Sequence, residues 1–114
     1  KVKIDEPIVI NEFILCRIFG NALDNAIEAC ERINVDDKFI LLSIIQNEDN
    51  ILRISLSNCS HEMNEDKLIT EKSNTKLHGF GLSIIQKSVK KLGGMMSVRY
   101  DNGVFSLNIL IKSK

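Results

Sequence analysis

Four polar side chains in this 114-residue chain, Asn21, Asp24, Asn25 and Glu28, stand at spacings that a helix turns into a stripe. At 100° per residue, Asn25 lies about 40° from Asn21, Glu28 about 20° away on the other side, and Asp24 about 60° away. Arg17 falls on the same side. Carboxamide and carboxylate oxygens are hard ligands of the kind Mg²⁺ accepts, one or two at a time beside substrate phosphates. A solvated face of an amphipathic helix has the same spacing, so the stripe alone does not distinguish the two. A second constellation is His78-Gly79-Phe80-Gly81, ahead of a helical pattern. Free N–H groups and the helix dipole at such a junction favour phosphate, and glycine lets the backbone approach an anion closely. A lone G-x-G also serves as a hinge. It lacks the G-x-x-x-x-G-K-[ST] spacing of a Walker loop, and no strand leads into it as a dinucleotide fold requires.

The elements that must position these groups are legible in the hydrophobic pattern. Val2 to Ile4 reads as a short edge strand, and Pro7 sits in a connection where its missing N–H costs little. Asn11 is an N-cap candidate for a helix from Phe13 to about Asn34. Leu15, Ile18, Ala22, Ala26, Ala29 and Ile33 form its apolar stripe. The run Phe39 to Ile45 reads as a buried strand, Asn47 to Asn50 as a turn, and Ile51 to Asn58 as a strand burying Leu52, Ile54 and Leu56 on one face. From Cys59 to about Lys76 the chain is polar with weak periodicity, leaving room only for a helical turn near Glu62 to Ile69. Loops of that length inside a compact domain are often lids. A second helix follows to about Leu92, with Leu82, Ile85, Val89 and Leu92 apolar, Ile84 beside them, and Gly93-Gly94 as its stop. Met96 to Tyr100 and Val104 to Ile111 flank Asp101-Asn102-Gly103, a strong hairpin signal. The order strand, helix, hairpin, loop, helix, hairpin implies an α+β two-layer sandwich, with helices on one face of a mixed sheet, in one domain spanning residues 1–114.

Composition narrows the function. Hydrophobic residues are 44% and charged residues 26% of the chain, which excludes a disordered tail or low-complexity linker. Fifteen Lys and Arg balance fifteen Asp and Glu, so the basic excess of a nucleic-acid or membrane-surface binder is missing. Aromatic residues are 5% with no Trp, too few for base-stacking platforms. Cys16, Cys30 and Cys59 include no C-x-x-C pair, which argues against a disulfide framework or zinc knuckle and for reduced thiols in a cytoplasmic domain. Cys16 and Cys30 read as packing residues of the first helix. No apolar run reaches the length of a membrane span, and no leader pattern is present. The chain begins in mid-pattern without Met and reads as a segment of a longer protein.

Taken together, the two constellations carry a resemblance. Asn21-Ala22-Leu23-Asp24-Asn25-Ala26-Ile27-Glu28-Ala29 resembles the N box of the GHKL, or Bergerat-fold, ATPases, and Lys76-Leu77-His78-Gly79-Phe80-Gly81-Leu82 resembles their G2 box. Order, spacing and the intervening lid-like stretch agree over nearly the whole chain. The sequence looks most like the sensor histidine kinases that read peptide signals in Gram-positive quorum sensing. The resemblance implies an ATP-binding catalytic domain using ATP and Mg²⁺. Phosphoryl transfer would go to a histidine on a separate dimerisation domain, with a response regulator downstream. It implies Asn25 as the Mg²⁺ ligand and Asn21 and Asn25 as the catalytic pair. Asn21 stands where hydrolytic members carry a glutamate base, and an amide there fits transfer to protein rather than to water. Asp24 and Glu28 would support the site, Gly79 and Gly81 would bracket the phosphates, and Lys76 would reach them as a point charge. His78, Phe80 and Leu82 complete the implied nucleotide-binding set. The domain itself would be cytoplasmic, within a membrane-bound sensor, with no membrane or nucleic-acid contact of its own.

One departure is informative. The family's G1 box normally reads D-x-G-x-G, its Asp receiving the adenine amino group; here the second strand ends Ser57-Asn58-Cys59-Ser60-His61. Asn58 can still accept from that amino group, but without the charge assistance that makes such a bond about twice as strong. Weak ATP affinity is expected, and the peptide-sensor kinases tend to share this altered box. Ser60-His61-Glu62 looks like a phosphoacceptor motif but lacks a dimerisation helix around it. Cys59 and His61 lack further ligands for a metal. Two rival readings stand beside the kinase: a degenerate member of the fold that docks a partner, and a serine kinase of the anti-sigma-factor type. The intact Asn25 and glycine loop weigh against the first. Asn21, which cannot help a serine hydroxyl lose its proton, weighs against the second.

Overall fold

The structure is a computed structural model and describes residues 1–5, 7–33, 38–60 and 82–113. Five strands form one mixed sheet in the order β1-β2-β3-β5-β4: β1 (Val2–Lys3), β2 (Ile40–Gln46), β3 (Ile51–Cys59), β4 (Met95–Asp101) and β5 (Val104–Lys112). Among the described strands only the edge pair β1–β2 is parallel. Two helices, α1 (Glu12–Glu31) and α2 (Leu82–Lys91), complete the described elements. This is the expected α+β architecture.

Local chemistry explains each boundary. Asn11 caps α1, its Oδ1 accepting from the N–H groups of Phe13 (3.0 Å) and Ile14 (3.2 Å). The helix ends at Glu31, with Arg32 as its C-cap, about three residues short of the expected end. The β2–β3 turn is closed by Asn47, whose Oδ1 accepts from Asp49 and Ile51, each at 2.9 Å. Asn102 (φ 48) and Gly103 (φ 81) are both left-handed, the backbone a tight type I′ hairpin demands. At the end of α2, Gly93 (φ 70) donates to the Lys90 carbonyl and Gly94 to that of Val89, a Schellman closure.

The core lies between the helices and one sheet face. Ile18, Ala22 and Ala26 of α1 and Leu82, Ile85 and Val89 of α2 pack on Leu52, Ile54 and Leu56 of β3 and on Phe105, Leu107, Ile109 and Ile111 of β5. The register aligns them in rows, Leu42–Leu56–Leu107–Val98 and Ile44–Ile54–Ile109–Met96. Burying a Val-, Leu- or Ile-sized side chain contributes about 1.5–3 kcal/mol. The other face is mixed: Ser55 Oγ donates to Asn108 Oδ1 at 2.8 Å and the Ser57 and Ser106 hydroxyls meet at 3.2 Å, beside exposed Leu41, Leu110 and Met95. One expectation needs correction. The run Phe39 to Ile45 is not a fully buried strand: Leu41 is 64% and Ile40 38% exposed. The described helices cover one face, so Leu41 on the other face lacks a covering layer, while Ile40 is the first residue of a strand next to the edge of the sheet.

Candidate functional site

The polar stripe of α1 is real, and the structure sorts its members. Asn25 is buried, Asn21 and Glu28 are half-buried, and Asp24 is exposed. Asn21 uses its Nδ2 to donate to the Arg17 carbonyl one turn back, at 2.8 Å. Asn25 Oδ1 and Glu28 Oε2 are different: both atoms are buried, and neither has a hydrogen-bond partner among the described residues. A buried acceptor left unmatched costs about 1–3 kcal/mol, so native chains rarely keep one without a use for it. These two oxygens stand on adjoining turns of one helix, three residues apart. They are hard donors, and they fit a Mg²⁺ that takes few protein ligands and the rest from phosphate and water. Among the described residues no three His, Cys, Asp or Glu side chains gather into a metal cluster.

Asn58 continues the even-numbered row of β3 that contains Leu52, Ile54 and Leu56, and is 1% exposed. Its Nδ2 donates to the Cys59 carbonyl at 2.9 Å. A cross-sheet row places Ile40, Asn58, Phe105 and Tyr100 side by side at this end of the sheet. The β4–β5 hairpin folds back onto the same end, Ser60 N–H donating to the Gly103 carbonyl at 2.9 Å. The C-terminal half of α1 is tied there too. Cys30 Sγ lies 3.2 Å from Cys59 Sγ, and both thiols are buried around Phe39. Thus the helix that carries Asn25 and Glu28 ends beside the strand end that carries Asn58.

Leu82, in the implied nucleotide set, packs into the core at the start of α2. Lys76, His78, Gly79, Phe80 and Gly81 lie outside the described residues, as do His61 and the helical turn expected near Glu62 to Ile69. A cleft of about 530 Å³ opens elsewhere, between Ile10, Ile14, Leu92 and Ile111 at the opposite end of α1, and no candidate site residue lines it. The walls the candidate site would need, residues 61–81, fall outside the description. The thiols depart from expectation in one case: Cys30 is buried, but Cys16 is exposed rather than a packing residue. The Cys30–Cys59 apposition has no signal in the sequence, because the two stand twenty-nine positions apart and no short motif links them.

Known structures share this fold. The catalytic domain of the histidine kinase ThkA, in a nucleotide-free form, superposes with a TM-score of 0.80 at 18% identity, covering 98% of this chain and 74% of that one. A mycobacterial sensor histidine kinase, MprB, gives 0.72 at 18% identity, covering 91% and 73%. Full-length ShkA in complex with AMPPNP gives 0.74 at 20% identity, covering 99% of this chain but 25% of its own. No curated protein matches the chain in sequence. The GHKL domain model matches residues 10–112, so α1 with its Asn-rich stripe, α2 and the sheet from β2 to β5 all fall within one family unit, and the chain belongs to the GHKL domain family.

Proposed function

We propose that this chain binds Mg·ATP and is the catalytic domain of a sensor histidine kinase. The observation that carries the proposal is the buried Asn25 Oδ1, without a hydrogen-bond partner among the described residues, with Glu28 Oε2 one turn on along the helix of the Asn-rich stripe. Mg²⁺ held by Asn25 Oδ1 would neutralise charge on the phosphates. Asn25 and Glu28 orient the polar wall of α1 toward the ligand. Asn21, with its Nδ2 tied to its own helix, presents an amide that does not take a proton from water. The reaction it would support is therefore transfer rather than hydrolysis, resting on positioning and charge neutralisation. Asn58, with its Nδ2 already engaged by Cys59, leaves Oδ1 to accept the adenine amino group. Gly79 and Gly81 supply backbone N–H groups to the phosphates, with Lys76 as a charge, and His78, Phe80 and Leu82 shape that loop.

The acceptor is a histidine on a dimerisation domain, followed by a response regulator, in a longer membrane-bound sensor. Among the described residues no helix is long and apolar enough to cross a membrane. The N-box string and the Asn58 departure support the finer reading of a peptide-sensing kinase of Gram-positive type. The experiment is calorimetric titration of ADP and a non-hydrolysable ATP analogue, with Mg²⁺ or with EDTA, on this chain and on Asn25→Ala. Magnesium-dependent binding at micromolar to sub-millimolar affinity, lost in the variant, is expected. A folded chain that binds nothing at millimolar ligand overturns the proposal in favour of a docking module.

A further inference from the structure

The thiols of Cys30 and Cys59 are held face to face. Their sulfurs are 3.2 Å apart, and a disulfide needs about 2.05 Å, so bonding requires a closure of about 1 Å. The neighbourhood is built for sulfur: Phe39 N–H donates to Cys59 Sγ at 3.4 Å, and Cys30 Sγ donates to the Phe39 carbonyl at 3.5 Å. Cys30 is 9% and Cys59 6% exposed, which excludes a bulky oxidant but admits a small one at the rim.

We propose that Cys30 and Cys59 form a redox-modification site, in which a small hydroperoxide converts the pair to an intramolecular disulfide that weakens nucleotide binding. One thiol, as its thiolate, attacks the peroxide: an S–O bond forms, the O–O bond breaks, and the leaving oxygen takes a proton to become water or alcohol. The second sulfur attacks the resulting sulfenic acid: the S–S bond forms, the S–O bond breaks, and water leaves. Two thiols surrender two electrons and two protons in all, and one peroxide is reduced.

The consequence for the site follows from connectivity and rests on the nucleotide reading above. Cys59 directly follows Asn58, and the Cys59 carbonyl is the acceptor that orients the Asn58 carboxamide. Drawing Cys59 Sγ toward α1 by about 1 Å shifts that carbonyl and turns Asn58 away from the position adenine requires; displacements of this size are costly in a preorganised site. The bond would also join the end of the helix that carries Asn25 and Glu28 to the end of β3.

The test treats the purified chain with hydrogen peroxide on a Cys16→Ser background, which removes the exposed thiol and intermolecular pairing. Intact mass and peptide mapping should show loss of two hydrogens and a Cys30–Cys59 linkage. The Tm should rise by about 5 °C or more, because a closed loop restricts the unfolded chain. ADP affinity should fall at least about threefold, a difference of roughly 0.7 kcal/mol, and dithiothreitol should reverse all three changes. Cys30→Ala and Cys59→Ala should each abolish the linkage; both are measured in case one fails to fold. Peroxide that leaves both thiols free, or takes them to sulfinic acid without a linkage, overturns the site. A linkage with unchanged ADP affinity overturns its regulatory effect. A reduced chain that binds no ADP overturns the nucleotide reading instead, and the mapped linkage still decides the redox site.

Discussion

Asn25 Oδ1 and Glu28 Oε2 lie buried on adjoining turns of α1, and no described residue donates a hydrogen bond to either. A side chain kept for packing behaves differently on removal from one kept for a ligand. Asn25→Ala removes an acceptor that no described residue satisfies, so the lost contacts are offset by relief of about 1–3 kcal/mol of unmatched desolvation. Stability in urea should change by less than about 1 kcal/mol. Magnesium-dependent ADP affinity should fall about tenfold or more, the loss expected when a contact to a charged group worth about 1.5–3 kcal/mol is removed. A large loss of stability with binding retained would make Asn25 a structural residue.

Asn58→Asp tests the altered strand end. The Asn58 Nδ2 that now donates to the Cys59 carbonyl would become an oxygen facing an oxygen, in a position only 1% exposed to water. A lost bond and a buried unpaired charge should cost about 2–3 kcal/mol at pH 7. Urea unfolding of the two proteins at that pH measures it. Equal midpoints would show that the family's usual Asp is tolerated here and that Asn58 is not locked by its neighbour.

Cys30 gives the reduced protein an alkaline limit. Burial first, then the hydrogen bond and charge of Cys59, push its thiol above the ordinary value of 9.0, opposed by the Cys59 backbone and by Lys38. The unfolded chain therefore loses this proton before the folded one does. Through that interval the folded state holds more protons, and its stability falls as pH rises. The contribution is whole below pH 9.0 and is lost progressively above it. Midpoints in urea with dithiothreitol, at pH 7.5 and again near pH 10, should separate more in the parent chain than in Cys30→Ala. Equal separations would remove Cys30 as the cause.

Gly94 is required by proximity rather than by its dihedral angles. A Cβ built there would sit 2.5 Å from the Leu110 carbonyl oxygen, with Ile111 and Val89 side chains at 3.0 and 3.1 Å. The offending atom is backbone of a paired strand and has little room to move. Gly94→Ala should destabilise by about 1–3 kcal/mol, the usual cost of overpacking, whereas Gly20→Ala, with nothing within 4 Å, should be neutral or stabilising. A pair of denaturation curves distinguishes them.

Much of this protein is local in origin, and for that reason legible in its sequence. The cap at Asn11, the Asn47 turn, the Asn102-Gly103 hairpin and the Gly93 stop each depend on one residue's backbone preference or short side-chain reach. The apolar periods of α1 and β3 identified their buried faces because each face meets one continuous core. The spacing of Asn21, Asp24, Asn25 and Glu28 likewise placed them on one helix flank. What periodicity does not contain is the neighbour across space. Only assembly made Asn25 buried and Asp24 exposed, because that depends on how α1 rolls against the sheet. Only the strand order left Leu41 uncovered. Only the crossing of the helix end over the end of β3 brought Cys30 to Cys59, a contact between residues twenty-nine apart whose geometry is set by everything folded between them.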